Sequence, residues 1–538
     1  MPEIIYLDGL TLTPEDLFKV RDPNYHIALT EDAWKRVEKS RAVIDRIVEE
    51  KRTVYGINTG FGANAQVIIP PDELAALQRN LIVSHAAGVG EPIPVEQARM
   101  MMALRVNVLA KGCSGARVET IKTYIECHNK YLIPLIPSKG TVGASGDLAP
   151  LAHAALGVIG EGLMWDPELS DYKPSADVLK KYGIEPVELA PKEGLALING
   201  TQFISSIGTT ALIRAKNAAL TADIAAAMSI EALRGTPDAL EHRIHAVRPH
   251  TGQIDVAKRM RRILTNKPSA TECIREADEA GKVVSRSEMW LDHGYKGKVQ
   301  DAYSLRCIPQ VHGISHDTVS WVDSLMRIEL NSATDNPMIF FVEGGEKGEG
   351  DSRSGGNFHA EYPAKALDYL AIGIHELASI SERRVDRMCN PPSNGGELPA
   401  FLVKEKGLCS GYMIAQYTAA SLVSEDKVLC HPASVDSITV SANQEDHDSM
   451  GGFSARKAVR VVEHVEQVLA VELLCACQAM DLHGHEKPSS PAIEKVRKLI
   501  REHVPYYAKD RHMSKDMDTI HDLVKSGKIV ECIKEWLE

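Results

Sequence analysis

Positive charge is in short supply in this chain. Sixty-one Lys and Arg face 73 Asp and Glu, a net of −12, so there is no basic field to draw in nucleic acid or an acidic lipid surface. Long apolar runs are missing as well. The longest uncharged stretch, Gly194 to Ile213, contains Asn199, Gln202 and several Ser and Thr, which suits a polar wall running into a helix better than a membrane span. No basic N-terminus leads into an apolar core, so no secretion signal is expected. The ten cysteines are scattered without zinc-like spacing. Cys475 and Cys477 sit two apart on a helical stretch, where side chains do not face one another. Reduced thiols in a cytoplasmic protein with no metal are the expectation. His483 and His485 make too small a donor set for a metal and read as a polar turn. Phosphate-loop and dinucleotide fingerprints are absent, and aromatic residues make up only 5% of the chain.

What is present is concentrated in Gly143-Ala144-Ser145-Gly146-Asp147. Taken alone, this run of small residues also fits a Gly-rich turn with Ser145 or Asp147 capping a helix. It fits a hydrolase elbow, Gly-x-Ser-x-Gly, less well because it ends in Asp. It also permits a rare backbone reaction. Attack of the Gly146 amide nitrogen on the Ala144 carbonyl carbon closes a five-membered ring. Loss of one water from the ring and of the Ser145 hydroxyl as a second leaves an exocyclic methylidene, an electrophile made from the chain itself. Gly146 lacks the Cβ that would block the attack.

Ala144-Ser145-Gly146, followed by Asp-Leu-Ala-Pro-Leu-Ala-His153, resembles the signature of the aromatic amino acid ammonia-lyase and aminomutase family. In that family the tripeptide becomes the 4-methylideneimidazol-5-one (MIO) group. Five further segments occur in the family's order. Tyr55-Gly-Ile-Asn-Thr-Gly-Phe-Gly62 resembles a mobile loop carrying a catalytic tyrosine. Ser84-His85-Ala-Ala-Gly-Val-Gly90 is similar to the substrate-selectivity segment. Leu197-Ile-Asn199-Gly-Thr201 resembles the segment that puts an asparagine beside the prosthetic group. Gln300-Asp-Ala-Tyr303-Ser-Leu-Arg306 resembles the one supplying Gln, Tyr and Arg. Gly355-Gly-Asn-Phe358-His359 resembles the one supplying an aromatic wall.

The resemblance implies a carbon–nitrogen lyase with no dissociable cofactor. An electrophile bonded to the substrate amine answers the difficulty that an amine leaves poorly. It further implies Tyr55 or Tyr303 as the base for the β-proton, with Tyr55 preferred. Arg306 offers a planar fork for the substrate carboxylate, with Asn336 as a second contact. Asn199 and Gln300 are expected to hydrogen-bond the ring oxygen and the substrate, and Phe358 to wall the ring. The substrate follows from finer resemblance. Ser84-His85, Gln444-Glu445-Asp446-His447 and His431-Pro-Ala-Ser-Val-Asp-Ser437 are similar to the members acting on histidine. A carboxylate and a histidine together satisfy both nitrogens of an imidazole, so His85 and Glu445 are its expected readers, and trans-urocanate the expected product. Tyrosine and phenylalanine lyases, 2,3-aminomutases and a non-catalytic helical scaffold are the alternative readings.

Helical patterning dominates. Thr13-Pro14 reads as an N-cap and first helical residue. Long helices are predicted over 203–233 and near 311–332, 363–388, 409–428 and 454–480. In the last, Val461, Val465, Val468 and Leu469 form one stripe, with Glu463, Glu466 and Gln467 largely off it. The expected fold is mainly α, an elongated bundle of the aspartase/fumarase-like type. It has an N-terminal domain, 1–202, bearing the tripeptide, and a long-helix domain, 203–538. The stripes are too apolar for isolated helices. The resemblance implies a homotetramer with each active site drawn from three chains. The Gly-rich, charged segment 343–355 reads as a flexible insertion.

Overall fold

The computed structural model describes residues 2–264, 276–277, 283–284, 300–484 and 488–538, so His485 lies outside the described residues. The fold is mainly α-helical, and among the described residues the strands form small sheets of two or three. Thr13 caps the first helix, its side chain accepting from the Asp16 amide, with Pro14 as first residue. The helices used below are α1 (Glu31–Glu49), α2 (Leu74–His85), α3 (Val95–Ala110), α4 (Leu148–Val158), α5 (Glu193–Ile198), α6 (Gln202–Ala232), α7 (Ile308–Glu329), α8 (Glu361–Cys389), α9 (Met413–Leu429) and α10 (Gly451–Leu482). The five long helices predicted from the sequence are α6 to α10, with ends displaced by a few residues. Among the described residues, no helix is long and apolar enough to cross a membrane.

Two compact units emerge. One comprises Met1–Ile213, Val322–Asp368 and Pro432–Val459; the other comprises Arg214–Trp321, Tyr369–His431 and Arg460–Glu538. The first unit therefore gathers three stretches, where the sequence reading had a single segment, 1–202. Four of its five divisions fall inside long helices, and the fifth, after His431, falls between α9 and α10. Residues 322–368 and 432–459 bring Asn336, Phe358 and Glu445 into the unit that holds the tripeptide.

Within that unit, α2, α4 and α5 pack against one another. This cluster sets His85 at the end of α2, the tripeptide just before α4, and Asn199 just after α5. Helix α3 is buried at every position from Ala98 to Ala110, Arg99 and Arg105 included. Buried guanidinium groups need acceptors. Arg99 donates to the carbonyls of Asp22 (2.5 Å) and Tyr25 (2.6 Å), and Arg105 to that of Asn199 (2.6 Å).

Segment 343–355 corrects an expectation. It forms the turn and second strand of an antiparallel hairpin, Met338–Phe341 paired with Gly350–Arg353. Ile339 packs with Val43, Ile44 and Ile47 of α1 and with Ile57 of the Tyr55 loop, and Phe341 lies against the same cluster. Most of its Gly and charged residues occupy the turn, where Lys39 pairs with Glu343 (2.5 Å). Composition signalled the turn and hid the two short strands.

In the second unit, Val461, Val465, Val468 and Leu469 are fully buried, as the stripe predicts. Glu466 is buried too, against expectation, because Arg214 clamps it with Nε (3.1 Å) and Nη2 (2.5 Å). His483 Nε2 donates to the Ala232 carbonyl (2.8 Å). The nine cysteines among the described residues are free thiols.

Candidate active site

Ala144, Ser145 and Gly146 sit in a loop clamped from three sides. Gly146 adopts φ +71° against Gly200 at φ +145°. The Asp147 amide donates to the Gly200 carbonyl (2.7 Å). A Cβ on Gly146 would lie 2.2 Å from that carbonyl oxygen, so only glycine fits. On the other side, the Ser449 hydroxyl (3.2 Å) and Ala360 amide (3.3 Å) donate to the Gly143 carbonyl, and the Met450 amide to that of Val142 (2.8 Å). Thr141 Oγ1 donates to the Gly146 carbonyl (3.2 Å). Among the described residues, no hydrogen bond takes up the Gly146 amide or the Ala144 carbonyl oxygen. These are the two groups that ring closure would join, and the pinched, glycine-only backbone fits the implied MIO group.

Asp147 begins α4 but its carboxylate makes no side-chain cap. It is buried and accepts from the Ile204 amide (3.0 Å). Burial outweighs these hydrogen bonds and pushes its pKa up to about 7. Glu329, half-buried, accepts from the Thr201 hydroxyl (2.5 Å), and its pKa is likewise raised by desolvation. At the far end of the signature, His153 Nε2 accepts from the Gly88 amide (3.1 Å), tying the selectivity segment to α4.

A cavity of about 500 Å³ opens over the tripeptide. Among the expected site residues, Tyr55, Ala144, Ser145, Asn199, Asn336, Phe358 and Glu445 line it. Ser145 Oγ donates to Glu445 Oε1 (2.9 Å), so the carboxylate lies beside the tripeptide. Glu445 is presented by a tight turn. Val440 and Glu445 form a bridge, and Ser441, Ala442 and Asn443 between them all have positive φ, 53°, 53° and 67°. A non-glycine residue pays roughly 1–2 kcal/mol for that conformation. The Tyr55 loop abuts this turn, and Tyr55 Oη accepts from the Gly62 amide (3.3 Å).

His85 does not line the cavity, but it is close enough for the Glu445 charge to act on it. Burial nevertheless holds its pKa below the usual value, and Ser84 Oγ lies 3.0 Å from its Nδ1. A neutral imidazole offers one donor and one acceptor. Gln300, Tyr303 and Arg306 belong to the second unit and are not among the lining residues. Tyr303 is 71% exposed, with the Arg306 guanidinium 4.8 Å from its ring centroid.

Several lining residues escaped the sequence reading. His359 and His447 stack in parallel with centroids 5.8 Å apart, and His359 Nε2 bonds the His447 carbonyl (2.9 Å). A carbonyl only accepts, so that nitrogen carries the proton. Both histidines stand inside segments already singled out, and adjacency to Phe358 and Glu445 was the available signal. Behind the wall, Lys192 and Asp335 form a fully buried ion pair (2.7 Å). No single-sequence pattern marks that pair.

The family model for aromatic amino acid lyase matches residues 12–502. The chain belongs to the aromatic amino acid lyase family, and it is an ammonia-lyase. Among its relatives, histidine ammonia-lyase of Bos taurus is 54% identical over 99% of this chain and 77% of that protein. The crystal structure of histidine ammonia-lyase from Trypanosoma cruzi is 50% identical, with a TM-score of 0.88 over 99% of this chain and 95% of that one. The structure of tyrosine aminomutase from Streptomyces globisporus has the same TM-score at 37% identity, covering 99% of this chain and 98% of that one.

Proposed function

We propose that this enzyme eliminates ammonia from L-histidine to give trans-urocanate, with the electrophile formed from Ala144, Ser145 and Gly146. The observation that carries the reading is the Glu445 carboxylate at the cavity, 2.9 Å from Ser145 Oγ, with His85, its pKa lowered by burial, within its field. An imidazole N–H donates to the carboxylate, and the second ring nitrogen accepts from His85. A phenylalanine side chain would leave both groups unpartnered, and a site built to hydrogen-bond its substrate rejects such analogues strongly. The identity to the histidine-named relatives supports the same substrate.

The MIO group, held by the loop between Gly143 and Asp147, supplies an electrophile for the substrate nitrogen. The rest is done by side chains. Tyr55 takes the β-proton; the Gly62 amide donates to the oxygen on which a tyrosine base carries its charge. Asn336 donates to the substrate carboxylate, and Asn199 hydrogen-bonds at the ring. Phe358 walls the site, and the glycines at 56 and 62, both at positive φ, let the Tyr55 loop close and exclude water.

Gln300, Tyr303 and Arg306 serve the site of a neighbouring copy in a homotetramer, Arg306 as the carboxylate fork. Supporting this, α7 exposes Ile314 (58%), Trp321 (44%) and Ile328 (71%) at every seventh residue, a stripe that suits helix–helix association.

The test is the ultraviolet spectrum of the product made by purified protein from L-histidine, L-phenylalanine and L-tyrosine in parallel, with intact mass measured alongside. Urocanate from histidine alone, and a chain lighter than its sequence by two waters, are expected. A β-amino acid product or an uncyclised active chain would overturn the reading.

A further inference from the structure

The hairpin at 338–353 has no part in the chemistry above, yet its register brings its exit to the cavity. Met338 pairs with Arg353, so Ser354 and Gly355, just past the second strand, arrive beside Asn336, just before the first. Both donate to the same atom. The Gly355 amide lies 2.8 Å and the Ser354 hydroxyl 3.2 Å from Asn336 Oδ1. A carboxamide oxygen has two lone pairs, and both are taken. A backbone N–H cannot donate to an NH₂ group, so the amide cannot be turned the other way. The end left for the cavity is therefore Nδ2, with its two hydrogens. From behind, Asp335 fixes the backbone: its Oδ1 accepts from the Asn336 amide (2.6 Å) and its Oδ2 from Lys192 (2.7 Å).

We propose that Ser354 is a positioning residue that orients the Asn336 carboxamide to donate to the substrate carboxylate, and that the hairpin exists to deliver it there. The inference rests on the reading of an amino acid substrate, and not on which amino acid. The same hairpin braces the Tyr55 loop, since Ile339 shares a buried cluster with Ile57, two residues beyond Tyr55. One element thus holds the group that grips the carboxylate and the root of the loop bearing the base.

The test is Ser354→Ala, with Ser354→Thr as the conservative partner. Ser354 is exposed, so its loss removes a hydrogen bond and little packing. For Ser354→Ala, KM for L-histidine should rise about fivefold, the worth of one neutral hydrogen bond, while kcat changes by less than about twofold. Ser354→Thr should restore the wild-type KM. The decisive comparison uses L-histidinol, which carries a hydroxymethyl group in place of the carboxylate. Its inhibition constant should be the same for Ser354→Ala and wild type. Equal weakening of histidine and histidinol, or an unchanged KM, would overturn the proposal. If the enzyme turns over another amino acid, the substrate reading falls, and the same comparison is made with that amino acid and its amino alcohol.

Discussion

Two glycines in the first unit separate backbone strain from lost space. Gly146 and Gly183 share a left-handed conformation, φ +71° and +70°. A Cβ on Gly183 would meet nothing within 4 Å, whereas one on Gly146 would lie 2.2, 2.6 and 2.7 Å from the oxygen, carbon and nitrogen of Gly200. Carbon atoms normally rest at roughly 3.5–4.0 Å. Gly183→Ala should therefore cost only the conformational term, about 1–2 kcal/mol. Gly146→Ala pays the same term plus an overpacking cost of about 1–3 kcal/mol, set against main chain that has no rotamer to yield. The relief available is to push the loop from Gly200, which moves the Gly146 nitrogen away from the Ala144 carbonyl. The assay is intact-protein mass together with histidine turnover, with thermal denaturation as the stability readout. Gly183→Ala should stay two waters light and active, with a slightly lowered melting temperature. Gly146→Ala should carry its full sequence mass and be inactive. Cyclised, active Gly146→Ala protein would refute the steric argument.

Glu445→Gln should depress kcat/KM for histidine far more than any residual turnover of phenylalanine; equal losses would remove Glu445 as the imidazole reader. Lys192→Met leaves Asp335 buried without its partner, an expected loss of about 3–5 kcal/mol seen as a lowered melting temperature. The double variant Lys192→Met/Asp335→Leu should recover most of that stability but not the wild-type KM, and recovery of both would free Asn336 from this support. Asp147 has its pKa raised by burial from 3.8 to about 7. Its contribution to stability is fully present below pH 4 and is lost as pH rises through 7. The lost contribution amounts to as much as about 4 kcal/mol. Asp147→Asn cannot ionise, so its melting temperature should fall less between pH 5 and pH 8 than that of wild type. An identical fall would assign the pH dependence elsewhere.

The long helices were legible because their signals are local. Proline-free, Ala-rich sequence marks α6, and the spacing of Val461, Val465 and Leu469 marks α10. The tripeptide was legible because its chemistry requires small residues in a fixed order. Glu466 was misread because spacing alone cannot reveal that Arg214, far away in the chain, clamps it inside. The hairpin was missed because a charged, Gly-rich turn outweighed two four-residue strands. Gln300, Tyr303 and Arg306 are marked in sequence by resemblance alone, and the cavity of a single chain is lined without them. Lys192 and Asp335 could not have been paired at all, since a buried ion pair leaves no periodic trace in either partner's surroundings.

The clamp on the tripeptide closes from the far end of the chain. Ser449 and Met450 hold Gly143 and Val142, and Glu445 meets Ser145, 300 residues downstream. A ribosome that has made the tripeptide has still to make most of the protein before those contacts exist. The nascent polypeptide therefore carries the tripeptide unclamped while the next 300 residues of a 538-residue chain are made. On the proposed reading, ring closure waits until the walls that shelter the tripeptide are in place. Truncation before residue 445 should yield an inert tripeptide, which spares the cell a loose alkylating agent.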